Sequence, residues 1–407
     1  MAKIAVVGAG ITGVTSAYAL IRRGHEVTLF DRHRYPAMET SFANGGQLSA
    51  GNAEVWNNGT TILKGLKWML RRDAPLLFNP APSFHKYSWA AEFAACVSGY
   101  RANTIQTTRL AVAAREHLLQ MASEEGIDFD YRKTGLLNLY HDKRSFDAAA
   151  KANLLLREGG LDRFAVSPDE IATIEPTIKG SFFGGFYAPS DASGDIHLFT
   201  RALAEACRRR GATFFQETSV ERVRVSDRGV RIDHREILGG DGMADFDCVV
   251  ICAGVASRKF AASLGDRINI YPVKGYSITV SLLDEVSQVA APNVCLLDDA
   301  AKIVTSRLGP KRLRIAGTAE FNGFNRDIRA DRIRPLTAWT ERHFPEVATS
   351  SVVPWAGLRP MTPTMLPRVG HGKQKRVFYN TGHGHLGWTL SGATAELLAD
   401  QVDCEIQ

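Results

Sequence analysis

"VVGAGITG", residues 6–13, sets glycines at the end of an apolar run that begins at Ile4. Ile4, Ala5, Val6 and Val7 read as a buried parallel strand, and the spacing from Thr15 to Arg22 is helical. Gly8 permits the tight turn, Gly10 lets backbone approach a pyrophosphate, and Gly13 lets helix and strand pack closely. Ile11 and Thr12 complete the turn, where free N–H groups and the helix dipole hold phosphate. Gly24 ends the helix, Glu26 to Phe30 forms a second strand, and Asp31 closes it about 20 residues on, placed to accept a ribose hydroxyl. Arg32 follows at the same strand end. The pattern predicts an α/β, Rossmann-like dinucleotide-binding unit.

Composition narrows what surrounds that unit. A chain of 407 residues with 45% hydrophobic residues buries a large core, and about 100 to 200 residues per domain predicts two or three domains. No run of 18 apolar residues is present, so no membrane span is expected. The first core strand starts at once, without a charged and apolar leader, which predicts a cytoplasmic protein. Cys96, Cys207, Cys248, Cys252, Cys295 and Cys404 are scattered and lack metal-ligand spacing, so no metal is expected even though Cys248 and Cys252 bracket one strand. The 49 basic and 43 acidic residues leave a net charge of +6, and no nucleic-acid motif accompanies it. Arg208, Arg209 and Arg210 suit the end of a helix. Lys64, Lys67, Arg71 and Arg72 beside Leu63, Leu66, Trp68, Met69 and Leu70 read either as a weak docking surface for the inner face of the cytoplasmic membrane or as a solvated helix.

Along the chain, the nucleotide pattern is interrupted. After the loop "ETSFANGGQLSAG" (residues 39–51) comes a helix-rich stretch, residues 62–125, broken by prolines between Pro75 and Pro82. Strands in antiparallel style follow at residues 131–140, 182–188, 270–281, 302–307 and 312–319. Between them lie a helix over residues 197–210, β-rich sequence over 213–225, and the apolar strand of "DCVVICAGVAS" (247–257), whose Ala253 and Gly254 form a second glycine-bearing strand end. A nicotinamide domain is usually contiguous. A strand returning to the first sheet from so far down the chain fits a flavin fold. The expected organisation is α+β overall: a discontinuous FAD-binding domain from residues 1–58, 190–262 and 352–407, and a mainly antiparallel substrate domain from 59–189 and 263–351 that carries the helical insert 62–125.

The last segment, "WAGLRPMTPTMLPRVG" (355–370) and then "NTGHGHLGWTLSGATAELLAD" (380–400), is a strand, a glycine turn and a final helix. Backbone N–H groups at such a turn and helix start would face the anion that develops near a reduced flavin's pyrimidine carbonyl. His383 and His385 read equally as catalytic groups or as supporting packing.

Together the glycine turn, Asp31, "TSFANGGQ", "PVKGYSITV" (272–280), "GLRPMTP" (357–363) and "NTGHGHLGWT" resemble the FAD-dependent D-amino acid oxidase superfamily, and within it the bacterial D-amino acid dehydrogenase small-subunit type. The resemblance implies FAD phosphate contacts at Gly8, Gly10 and Gly13 and a ribose contact at Asp31. It implies that Thr40, Ser41, Asn44, Gly46 and Gln47 line the phosphates and flavin, that Val220 meets the adenine, that Gly254 marks a second nucleotide motif, and that Gly384, Leu386, Gly387 and Trp388, with Thr389 beside them, meet the flavin pyrimidine end. Arg359 matches the superfamily arginine that grips a substrate carboxylate, a role its two parallel donors suit; an interdomain ion pair is the other reading. Tyr276 shares a strand face with Lys274 and Ile278, and either shares the carboxylate with Arg359 or packs in the core. Many relatives carry an aspartate soon after "MTP"; here Thr364, Met365 and Leu366 stand instead, which predicts a more apolar site lining and bulkier substrates. The cysteine that bonds flavin in some relatives is missing, so FAD is expected to be non-covalent, with His33 as the remaining candidate for attachment. The activity implied is hydride transfer from the Cα of a D-amino acid to flavin N5, giving a 2-oxo acid and ammonia, with electrons passed to a quinone or another carrier. An oxygen-using oxidase, one subunit of a hydroxyproline, opine or glycine-type dehydrogenase, and a flavin-binding scaffold are the alternatives.

Overall fold

The computed structural model of the chain describes residues 1–68 and 75–406. Strand Lys3–Val7 is central to a six-stranded sheet. It pairs in parallel with Glu26–Phe30 on one side and Cys248–Ile251 on the other. Thr213–Phe215 and Val377–Thr381 extend the parallel sheet outward, and Arg368–His371 closes one edge antiparallel. The central strands read as unbroken apolar runs because both faces are covered. Ile4 and Val6 face helices Ile11–Arg22, Ile196–Arg209 and Gly387–Ile406, packing with Val14, Leu203 and Leu398. Ala5 and Val7 face the other way, against Val223, Ile232 and Phe246 of a three-stranded antiparallel sheet made by Thr218–Ser226, Gly229–Glu236 and Asp241–Phe246. The helix Ile196–Arg209 starts where Asp195 accepts hydrogen bonds from the His197 and Leu198 N–H groups at 2.9 and 3.2 Å, an ordinary N-cap.

The second sheet has nine strands and is mainly antiparallel. From one edge its order is Val352–Met361, Tyr271–Ser281, Arg312–Phe321, Ile303–Leu308, Cys295–Asp298, Leu136–Tyr140, Gly184–Ala188 and Phe164–Val166, with Leu76–Phe78 pairing beside Ala319–Phe321. Strand Val352–Met361, which the sequence reading grouped with the nucleotide domain, pairs along its whole length with Tyr271–Ser281 instead. Its alternation places Arg359 in the second sheet. Helix Ala330–His343 covers the outer face, with Leu336 and Trp339 packed on Ile278 and Ile315. Of the residues considered for a membrane surface, Met69, Leu70, Arg71 and Arg72 lie outside the described residues, and Leu63 is exposed on helix Gly59–Trp68. Among the described residues no helix is long and apolar enough to cross a membrane.

The inner face of the nine-stranded sheet has one continuous row. Trp355, Ser277, Ala316, Val304, Leu297 and Asn138 are successive cross-strand partners, and all of them line the same cavity. Because side chains alternate, the residues two positions away share that face and their immediate neighbours do not.

Candidate active site

A cavity of about 1030 Å³ lies between the two sheets. At one end the glycine turn has the close contacts that its sequence predicts. Gly8 has φ +105°, and a Cβ there would meet the Cys252 carbonyl oxygen at 2.6 Å; a Cβ on Gly13 would stand 1.8 Å from the Gly8 oxygen. Gly13 therefore sits behind the wall, locking helix to strand. At Gly10 a Cβ would meet only Ser41 Oγ, at 3.5 Å, so its bare backbone keeps space open toward the cavity. The Ile11 N–H donates to Ser41 Oγ at 3.0 Å, while the Thr12 and Gly13 N–H groups have no intrahelical acceptor. Asp31 accepts from the N–H groups of Ala9 (2.7 Å) and His33 (2.8 Å). Burial pushes its carboxyl up against the pull of those bonds, and each oxygen keeps a lone pair for a further donor.

The loop after Asp31 ties the two sheets together. Thr40 Oγ1 donates to the Leu358 oxygen at 2.8 Å, Ser277 Oγ donates to the Ala43 oxygen at 2.7 Å, and Asn44 Oδ1 accepts from the Gly46 N–H at 2.9 Å. The Gln47 side chain is spent inside the protein, on the Leu296 and Thr305 oxygens and on Asn52, although the residue borders the cavity. His33 Nε2 is 2.7 Å from Glu39 Oε1, and Arg32 and Arg326 also pair with Glu39. Burial opposes ionisation of Glu39, but the bonds from His33 and Arg326 and the charge of Arg32 outweigh it and hold the carboxyl at about 2. Val220, Ala253 and Gly254 complete the wall near Asp31, and Gly384, Leu386, Gly387, Trp388 and Thr389 form it at the start of the last helix. There the Leu390 N–H is the first to reach a helix carbonyl, that of Leu386 at 2.8 Å, so the first-turn N–H groups before it are left for a ligand. Trp388 is buried edge-on against Phe199, and among the described residues its Nε1 has no partner.

Arg359 projects from the inner face between these ends. Its guanidinium lies flat over Gly275, where a Cβ would come within 2.3 Å of Nη2. Nη1 donates to the Thr318 oxygen at 3.3 Å, and among the described residues no carboxylate pairs with it. Thr318 has φ +55°, uncommon for a β-branched residue, at an irregularity in pairing where the strand slips between Lys274 and Tyr276. Such a bulge re-aims a carbonyl. Burial pushes the guanidinium down to about 10, so it remains charged at neutral pH. Among the described residues the interdomain ion-pair reading of Arg359 finds no acidic partner.

Tyr276 and Lys274 do not join it. Register puts Val273 opposite Arg359 and Lys274 opposite Leu358, so Lys274 and Tyr276 occupy the other face of the strand. Tyr276 borders the cavity, but its hydroxyl donates to Glu320 Oε2 at 2.5 Å. Lys274 Nζ sits 3.2 Å from the same carboxylate and donates to Asn325 Oδ1 at 2.6 Å. The shared-face reading was right, but it names the face turned away from Arg359. Thr364 is exposed, and none of Thr364, Met365 and Leu366 lines the cavity, so the departure after "MTP" does not set the lining as expected.

His383 is buried and His385 half-buried, and both are held by packing. His383 Nε2 is 3.0 Å from Thr394 Oγ1, and burial pulls the imidazole down to about 3. His385 stacks on Trp56 with ring centroids 4.5 Å apart, lies 3.3 Å from the Asn52 oxygen, and is pulled to about 4 by burial and then by Arg359. The sequence reading missed Asp191. Its fully buried carboxylate accepts from Ser49 Oγ (2.6 Å), the Ala50 and Gly51 N–H groups (3.0 and 2.9 Å) and Arg115 (2.8 Å), fixing the chain that leads into the cavity wall. Its partners are distant in sequence, so only its place in a turn-rich stretch was visible. The thiols of Cys248, Cys252 and Cys295 are pushed to about 12 by burial, and among the described residues no cluster of three or more potential metal ligands occurs.

An open Gly10 backbone, unpaired helix N–H groups at both ends, and an acidic strand end suit a dinucleotide whose second half is a flat ring. Residues 3–401 match the FAD dependent oxidoreductase family, DAO, and the chain belongs to it. Its cofactor is FAD. The chain is 60% identical over 406 residues to "D-amino acid dehydrogenase 3" of Mesorhizobium japonicum, covering 100% of this chain and 98% of that one. It is 40% identical over 414 residues to a D-amino acid dehydrogenase of Paramagnetospirillum magneticum, covering 98% and 94%. In fold it is similar to glycine oxidase from Geobacillus kaustophilus (TM-score 0.77, 22% identity, 99% and 95% covered) and to L-proline dehydrogenase from P. horikoshii (TM-score 0.76, 16% identity, 98% and 92% covered).

Proposed function

We propose that the protein is an FAD-dependent D-amino acid dehydrogenase in which Arg359 holds the substrate carboxylate. The observation that carries this reading is a charged guanidinium, aimed into the cavity by Gly275 and Thr318 and lacking a carboxylate partner among the described residues. Its remaining donors match a carboxylate's two oxygens, and fixing that group turns one Cα–H toward the ring. Bound FAD supplies the hydride acceptor, N5. Gly8, Gly10, Thr12 and Asp31 hold its phosphates and ribose, and the first turn of the last helix supports the pyrimidine end. Binding is non-covalent, since His33 is committed to Glu39. His383 and His385 stay neutral, and they position the glycine turn and Trp56 rather than move the proton. Burial away from water disfavours the charged form of the substrate ammonium, which gives its proton to solvent as it enters the cavity. Naming of the similar sequences as dehydrogenases supports a quinone or another carrier as the oxidant.

The test is turnover of D-alanine and D-phenylalanine with an artificial acceptor, read as 2-oxo acid and ammonia in equal amounts. Peroxide release without added acceptor would convert the reading to an oxidase, and absence of oxo acid would refute it.

A further inference from the structure

The side chains lining the cavity around Arg359 include two groups of opposite character, which we call lobes of the lining. One contains Glu54, Arg163, Asp299 and Lys302, and each has protein partners. Lys302 pairs with Asp299, Glu54 accepts from the Tyr100 hydroxyl at 2.6 Å, and Arg163 donates to Asn153 Oδ1 at 3.3 Å and to the Tyr140 hydroxyl at 3.4 Å. A ligand entering there would have to displace those bonds.

The other lobe is lined by Trp56, Phe78, Trp89, Phe93, Phe321 and Met361 and carries no charge on these side chains. It lies directly against the carboxylate grip: Val273 is the cross-strand partner of Arg359, Met361 is two residues further along the same face, and both pack with Trp89. The polar atoms are already spent, since Trp89 Nε1 donates to the Met361 oxygen at 2.8 Å and Lys86, over the Phe78 ring, donates to the Asn79 and Ala81 oxygens. The rings are held in place by one another, Phe93 stacked on Trp89 at 5.1 Å and Phe321 against it at 5.5 Å. Walls of this kind gain only by burying apolar surface.

Resting on the D-amino acid reading above, we propose that this lobe takes the substrate side chain and that the preferred substrates are D-amino acids with large apolar, above all aromatic, side chains. One added methylene in an apolar pocket is worth a factor of about ten or more, so a benzyl group gains at least that over methyl. The test is kcat/KM for anaerobic flavin reduction by D-phenylalanine, D-tryptophan, D-leucine, D-alanine, D-glutamate and D-arginine. D-Phenylalanine is expected to exceed D-alanine, D-glutamate and D-arginine by at least tenfold. In Phe93→Ala the D-phenylalanine to D-alanine ratio is expected to fall at least fivefold, a ratio insensitive to how much of the variant folds. Equal or better use of D-alanine, a preference for a charged side chain, or an unchanged ratio in Phe93→Ala overturns the lobe assignment while leaving deamination standing. No reduction by any D-amino acid overturns both.

Discussion

Replacing Gly275 with alanine isolates the geometry of the carboxylate grip. The new Cβ would lie 2.3 Å from Arg359 Nη2, 2.4 Å from Cζ and 2.8 Å from Nη1. Normal contact requires the guanidinium to retreat by about 1 Å. That retreat costs little stability, because the obstructing atoms are the far end of a long side chain and glycine within a strand is itself unfavourable by roughly 0.5–1 kcal/mol. Its cost falls on catalysis. A displacement of about 1 Å in a positioning group is worth about a hundredfold in rate, or close to 3 kcal/mol of transition-state stabilisation. We expect Gly275→Ala to keep its flavin content and Tm and to lose about a hundredfold in kcat/KM for D-phenylalanine. A variant with full flavin and kcat/KM within threefold of the parent would show that Arg359 does not depend on that contact, and the argument from Gly275 would be wrong.

Arg359→Lys retains charge but loses the planar pair of donors, and a loss of roughly a hundredfold in kcat/KM is expected from the same assay. Asp191→Ala strips a fully buried carboxylate from Arg115 and from two N–H groups, so unfolding by denaturant should show a loss of about 3–5 kcal/mol together with weaker FAD retention. His383 titrates near 3 when folded and near 6.5 when unfolded, so between those values the unfolded chain binds the extra proton and stability falls as pH is lowered. At pH 5 the loss is about 2 kcal/mol, and His383→Gln should flatten the decline in Tm between pH 7 and 5. An identical slope would contradict a neutral buried imidazole.

The nucleotide half of the site was readable because its chemistry is local. Gly8, Gly10, Gly13 and Asp31 belong to a strand, a turn and a helix within one short stretch, and the structure sets them in those elements. Several elements of the second sheet were also visible, since the apolar runs at Tyr271–Ser281 and Arg312–Phe321 stand between turn residues. What escaped was non-local. Whether Tyr276 or Val273 shares a face with Arg359 depends on the register against Val352–Met361, which no periodicity along a single strand reveals. Gly275 lay inside a motif noticed in the sequence, yet its reason is a guanidinium contributed from the neighbouring strand. Thr318 gave no signal at all. Its bulge exists because of how that strand pairs with Tyr271–Ser281, and threonine is an ordinary strand residue. Asp191 likewise depends on Arg115, far away in sequence.

The central claim is that Arg359 presents a D-amino acid to FAD by its carboxylate. It is tested most directly by following flavin bleaching anaerobically in the parent and in Arg359→Leu, each with D- and L-phenylalanine. The account predicts rapid bleaching of the parent by the D enantiomer alone, and a loss of at least a hundredfold in Arg359→Leu at unchanged flavin content. Equal bleaching rates in the parent and the leucine variant would contradict it.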